Sequence, residues 1–194
     1  QGTTYYTWVK DAAGNVSASK STATGKVKDL TKADLNFTYT PSATWTNQDV
    51  TVTVKPNIDI GSYKIRTSKD GKTWETTNTQ TFSSNGQMYV ILWDGTNYGV
   101  SAATAVGSID KKKPIISSAT ATSNAITIKA TDEASGIVGY AITTSATQPT
   151  QFTAVASTKD FDKTFTGYKQ GTTYYTWVKD AAGNVSASKS TATG

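Results

Sequence analysis

QGTTYYTWVKDAAGNVSASKSTATG occupies Gln1–Gly25 and returns, letter for letter, as Gln170–Gly194. Identity over 25 residues at an offset of 169 is the signature of a repeat, and it predicts that the chain is slightly more than one period of a longer array. Within the repeat, Gly2 to Lys10 alternates and is rich in Thr, Tyr, Trp and Val, as a strand is. Asp-Ala-Ala-Gly-Asn at Asp11–Asn15 supplies turn residues, and a second strand follows. The segment therefore reads as a β-hairpin. Two isolated strands are marginal in water, so the first copy needs partner strands that this chain, read as one self-contained object, does not supply in front of it.

Composition narrows the function classes. The 169-residue period divides into two units of about 80 to 85 residues, an ordinary size for small domains. Thr, Ser, Ala and Gly dominate over large aliphatics, which suits thin sandwiches rather than a thick-cored enzyme. Neither cysteine nor histidine occurs. Disulfides, thiolate chemistry, zinc sites of the usual kind and Ser-His-Asp or Cys-His catalysis are thereby excluded. Glu75 and Glu133 are the two glutamates, and no aspartate pairs with another acid across an evident cleft, as glycoside hydrolysis would require. No enzyme is expected.

The net charge of +5 is spread along the chain, with Lys111–Lys113 as its one local run. No basic helix or aromatic-basic signature accompanies it, so no nucleic-acid partner is expected. No stretch approaches the ~20 apolar residues of a membrane span, so no membrane insertion is expected in this segment. The chain starts at Gln1 without a signal peptide, which reads as a piece of a larger polypeptide whose export and anchoring signals lie elsewhere.

Taken in order, residues 1–25 are the last two strands of a preceding unit, and 26–32 (KVKDLTK) is a charged linker of little periodicity. Residues 33–109 form a first sandwich. Leu35, Phe37 and Tyr39 alternate, Val50, Val52 and Val54 share one face of DVTVTVK, and strands are expected at Ser62–Thr67, Thr73–Thr76, Gln80–Ser83, Gln87–Trp93 and Tyr98–Val106. Residues 110–194 form a second sandwich. Its opening joint is Lys111, Lys112, Lys113 and Pro114, where proline fixes φ. Strands follow at Ile115–Thr120, Ala125–Thr131, Ile137–Thr143, Phe152–Val155 and Phe161–Phe165, and the duplicated hairpin closes the unit. The fold class is all-β: tandem immunoglobulin-like antiparallel β-sandwiches with an N-terminal partial unit, since short strands, frequent turns and no helical period combine.

The runs TWTNQDVTVTV (Thr44–Val54), DGKTWET (Asp70–Thr76), IDKKKPII (Ile109–Ile116), DEASGI (Asp132–Ile137) and YYTWVKDAAGNVS (Tyr174–Ser186) resemble the tandem bacterial immunoglobulin-like repeats of Gram-positive surface proteins. The resemblance covers nearly the whole chain and is specific for fold rather than function. It implies an extracellular, non-catalytic segment, on the cell surface or secreted, that serves as a stalk, spacer or adhesive rod.

Two constellations remain. In such a unit the start of the first strand lies near the loops before the third and last strands, which gathers Asp132, Glu133, Asp180 and Asn184 beside the Lys111–Lys113 joint. Calcium is one reading of those oxygens. In the other, Asp180 and Asn184 cap their own turn while Asp132 and Glu133 meet lysines. Strand parity supplies the second constellation. It puts Tyr5, Thr7 and Val9 inward, leaving Tyr6, Trp8, Tyr175 and Trp177 outward, and likewise Tyr89, Ile91 and Trp93 outward. Lysine and threonine stems covering the rings, lateral self-association, and a glycan-binding row each fit that pattern.

The function expected is a structural repeat of a surface appendage, stalk or fibre, with neighbouring repeats or subunits as partners. The hairpin is completed either in cis by a longer chain or in trans by a neighbour. A ligand-binding adhesin module using the outward aromatics is the alternative.

Overall fold

The computed structural model describes residues 4–22 and 27–191; residues 1–3, 23–26 and 192–194, the outer ends of the duplicated segment among them, lie outside the described residues. The first hairpin is β1 (Thr4–Lys10) and β2 (Val16–Thr22). Next come β3 (Leu35–Thr40), β4 (Val50–Pro56), β5 (Lys64–Ser68), β6 (Thr79–Phe82), β7 (Gly86–Trp93) and β8 (Ala102–Val106). The last group is β9 (Ile115–Ala121), β10 (Ala125–Thr131), β11 (Ile137–Thr143), β12 (Thr153–Thr158), β13 (Asp160–Thr166), β14 (Thr173–Asp180) and β15 (Val185–Thr191). A one-turn 3₁₀ helix at Lys32–Asp34 is the helical content of the described residues.

Sheet orders are β1-β2, β3-β4-β6, β5-β7-β8, β13-β10-β9 and β12-β11-β14-β15. In the last group the first, second and fifth strands form one sheet and the third, fourth, sixth and seventh the other. That is the immunoglobulin-like arrangement, and β3 to β8 divide in the same manner with one strand fewer. The fold is an all-β sandwich of that class.

Compactness divides the chain into two units, Gln1–Thr38 with Val52–Gln80 and Gly86–Val106, and Tyr39–Thr51 with Thr81–Asn85 and Gly107–Gly194. This division does not coincide with the 33–109 and 110–194 boundaries read from the sequence. Within the second unit, residues 46–49 are tied to 108–111: the Thr46 amide donates to Ser108 O at 2.9 Å, the Asp110 amide to Thr46 O at 2.8 Å, and Lys111 pairs with Asp49. Sequence periodicity has no signal for such a loop-to-loop ladder.

In the first unit, period-2 patterning gives the core as expected: Val52 and Val54 of β4 and Met88, Val90 and Leu92 of β7 are fully buried. The stretch 26–32 differs from its reading as a linker. Val27 and Leu30 are buried, the Leu30 amide donates to Val100 O at 3.1 Å, and the Val100 amide donates to Asp29 Oδ1 at 2.7 Å. Its apolar residues stand three apart in an irregular strip, so neither a strand nor a helix period marked them. The segment passes so close to Gly99 that a Cβ there would lie 2.3 Å from Lys28 O. Gly99→Ala is therefore expected to destabilise the first unit by about 1–3 kcal/mol through overpacking against backbone, read as a lowered urea midpoint for amide exchange in β7 and β8. Two expected strands are also modified. Thr73–Thr76 contributes one antiparallel bridge, Thr67 to Glu75, and the strand read from Tyr98 begins at Ala102.

In the second unit Ile126, Ile128 and Ala130 of β10, Ile137 of β11, Phe161 of β13, and Tyr174 and Val178 of β14 form one buried cluster drawn from both sheets. Tyr140 stacks on Phe165 with centroids 4.4 Å apart, and Tyr168 meets Tyr174 edge-on at 4.9 Å. Aromatic pairs of this kind add about 0.5–1.5 kcal/mol beyond area burial.

Candidate functional site

The duplicated hairpin stands in two environments. Its local structure is the same in both. Partners run from Thr4↔Thr22 to Lys10↔Val16 in one copy, and from Thr173↔Thr191 to Lys179↔Val185 in the other. The turn also repeats: the Asn15 amide and Nδ2 donate to the Asp11 carboxylate at 2.8 and 2.7 Å, as those of Asn184 do to Asp180 at 2.8 and 2.7 Å. Gly14 and Gly183 hold φ of +94° and +95°, the left-handed region that glycine enters without steric cost.

Solvation separates the copies. Tyr5, Trp8, Val9 and Val16 are 57, 66, 66 and 55 % exposed, whereas Tyr174, Trp177, Val178 and Val185 are 9, 6, 0 and 9 % exposed. Covering four such side chains is worth roughly 6–12 kcal/mol as an upper bound, more than a free hairpin holds. In the second copy β11 pairs with β14 along Ile137–Thr143, and Trp177 Nε1 donates to Thr143 Oγ1 at 2.9 Å.

The aromatic row needs correction. Tyr174, Thr176 and Val178 face the core as parity predicts, but Trp177 on the opposite face is also buried. It lies between the cross-strand residues Ala141 and Ala187, whose small side chains leave room for the indole. Ile91 is buried as well, while Tyr89, Trp93 and Tyr175 are half-buried. The Arg66 guanidinium sits 4.8 Å from the Trp93 ring centre. Tyr6 and Trp8 are exposed, but so are Tyr5 and Val9 on the other face of their ribbon. The described residues thus present no continuous outward row.

The acidic constellation is rebuilt around a residue the sequence reading missed. Asp110, Asp132 and Asp180 are buried and bring one carboxylate oxygen each to within 4.8 Å of one another. The Ser135 amide donates to Asp110 at 3.1 Å, the Gly136 amide to Asp132 at 2.7 Å, and Asn184 to Asp180. Such oxygens suit a hard cation by their chemistry. The expected set of Asp132, Glu133, Asp180 and Asn184 is not the one assembled. Glu133 is exposed and stands 4.0 Å from Lys159, and Asn184 turns its nitrogen inward. That nitrogen also donates to Asp110 O at 2.9 Å and Lys112 O at 3.0 Å, and Ser186 Oγ donates to Pro114 O. The Lys111–Pro114 joint is thereby fastened to the duplicated turn. Asp110 went unnoticed because it adjoins three lysines, and its neighbours here lie far along the chain.

Burial pushes the Asp180 carboxyl above its ordinary value of about 3.8; Asn184's donors oppose the shift, and the Asp110 and Asp132 charges add to it. A folded pKa above the unfolded one means that the folded state binds the proton more tightly. This contribution to stability is complete below the unfolded value and is lost as pH rises through the folded one. In the first unit Asp34, Asp70 and Asp94 are held low chiefly by backbone donors of their own turns, joined at Asp34 and Asp70 by hydroxyl donors. Their contribution is present above the unfolded value and is lost as pH falls through the folded ones. Acidification towards the ordinary carboxylate pKa, with chelator present, is expected to raise protection in β11 and β14, and further acidification to lower it in β5 and β7, protection being the amide-exchange rate relative to the intrinsic rate at each pH.

No protein-family model matches this sequence, and no curated protein matches it. Solved structures align with this chain at TM-scores below 0.5. The FN1–FN3 domains of chicken CNTN1 align at TM-score 0.40 and 14 % identity, over 98 % of this chain and 78 % of that one. Fibronectin(III)-like modules of Clostridium thermocellum CbhA align at 0.38 and 10 %, over 81 % and 94 %. A 1.5-MDa bacterial ice-binding adhesin aligns at 0.35 and 15 %, over 98 % and 72 %. At such identities the likeness concerns the fold alone.

Proposed function

We propose that this chain is a structural repeat of an extracellular surface appendage, stalk or fibre, of the Gram-positive kind that its motifs resemble, and that it works without catalysis. The observation that carries this reading is the exact 25-residue duplication at an offset of 169, whose first copy exposes side chains that the second copy buries. A sequence that repeats so faithfully adds length by repeating the same nearest-neighbour contacts. The absence of cysteine and histidine from the sequence supports a mechanical rather than a chemical role. No helix among the described residues is long and apolar enough to cross a membrane.

The test is small-angle scattering on polypeptides carrying one, two and three 169-residue periods. A constant increment in maximum dimension per period is expected. A compact particle whose dimension grows only as the cube root of mass would overturn the reading. The adhesin alternative draws on Tyr6 and Trp8, which are exposed. It predicts specific retention on a glycan array, abolished by Trp8→Ala without loss of folding; no retention is expected here.

A further inference from the structure

Three carboxylates meet at one end of the second unit. Asp110 comes from the segment before β9, Asp132 from the turn after β10 and Asp180 from the end of β14, and each brings one oxygen to within 4.8 Å of the others. All three residues are buried. Their hydrogen bonds come from neutral N–H groups: the Lys112 and Ser135 amides on Asp110, the Gly136 amide on Asp132, and the amide and Nδ2 of Asn184 on Asp180. No ion pair among the described residues reaches any of the three. Like charges this close in a buried place oppose one another's ionisation unless a cation joins them.

A second observation points to the same place. Ser135 is 5 % exposed, and its Oγ has no hydrogen-bond partner. Its amide donates to Asp110 Oδ2 at 3.1 Å, and the next amide, that of Gly136, donates to Asp132 Oδ1 at 2.7 Å. Covalent geometry keeps Oγ within about 4 Å of its own amide nitrogen, so the orphan oxygen stands beside the carboxylates. A buried hydroxyl without a partner calls for an ion or a water.

We infer that Asp110, Asp132 and Asp180, with Ser135 Oγ as a neutral fourth oxygen, hold a calcium ion. Calcium bound at about 2.3–2.6 Å joins oxygens up to about 5 Å apart, a span that the three carboxylates meet. The tighter magnesium shell joins oxygens only about 4 Å apart and requires a near-ideal octahedron. Carboxylate oxygens that already accept one N–H keep a second lone pair for the ion. Entry is open, because a cavity of about 290 Å³ borders Asp132, with Glu133, Lys112 and Lys113 also on its wall. Those lysines weaken the attraction, which sets the expected Kd in the range of extracellular calcium modules, about 10⁻⁴–10⁻³ M. The ion ties the segment before β9 to the ends of β10 and β14.

The test uses the full chain, stripped of metal with chelator and desalted. Calcium chloride at about 10 mM is expected to raise amide-exchange protection in β11 and β14 about 10–100-fold, the factor 1 + [Ca]/Kd. Magnesium chloride at the same concentration is expected to give under about a third of that gain. Asp110→Asn is expected to abolish calcorimetric binding of calcium. Ser135→Ala removes the orphan oxygen, so without calcium it is expected to fold at least as stably as the parent, yet to bind calcium at least about threefold more weakly. Absence of a calcium-dependent gain in protection overturns the proposal. An equal gain with magnesium overturns it too, as does a Ser135→Ala variant that binds calcium as tightly as the parent.

Discussion

Trp177→Ala is expected to destabilise the second unit by about 3–5 kcal/mol, the range for deleting a large buried aromatic. Trp8→Ala, the same substitution inside the same 25-residue sequence, is expected to change stability by no more than about 0.5 kcal/mol. Trp177 is buried, is flanked by Ala141 and Ala187, and satisfies its indole N–H on Thr143. Trp8 has Ala18 beside it on one side and solvent over most of its surface. Urea unfolding with amide exchange read separately in β10–β11 and β4–β7 measures both variants. Equal effects would show that the ribbon carries its stability locally and would remove the contrast on which the repeat reading is built.

A second pair probes the turn. Asn184→Ala is expected to cost about 2–4 kcal/mol, because it strips a donor from the buried Asp180 carboxylate and from the Asp110 and Lys112 carbonyls at once. Asn15→Ala removes only the local side-chain bond from Nδ2 to Asp11, which is exposed, and is expected to cost under about 1 kcal/mol. Thermal unfolding of the two variants side by side decides it. A loss at Asn184 no larger than at Asn15 would mean that the Lys111–Pro114 segment is held by other contacts.

Much of the fold was legible in the sequence because period-2 patterning is a local code. Val50, Val52 and Val54, then Ile126, Ile128 and Ala130, then Tyr174, Thr176 and Val178 all face inward as alternation requires. The candidate site was legible only in part. Asp132 and Asp180 do come together, but Asp110 joins them and Glu133 does not. Which carboxylates meet depends on where three loops from distant parts of the chain converge, and spacing along the chain carries no record of that. Val27 and Leu30 escaped notice for a related reason, since their burial follows from the passage of 27–30 beside Gly99 and Val100 rather than from any period of their own.

The duplicated segment divides the two kinds of information cleanly. Its 25 residues alone determined a hairpin, its register, its glycine-dependent turn and the Asp–Asn clasp, for these are bonds between near neighbours and come out alike in both copies. They did not determine whether Tyr, Trp and Val would be wet or dry, nor which way the aspartate's proton affinity would move: hydrogen bonds to Asn15 hold Asp11 low, and burial pushes Asp180 up. Only the tertiary structure decided these, because desolvation is a property of what covers a side chain, and the frame that covers the second copy lies elsewhere in the chain.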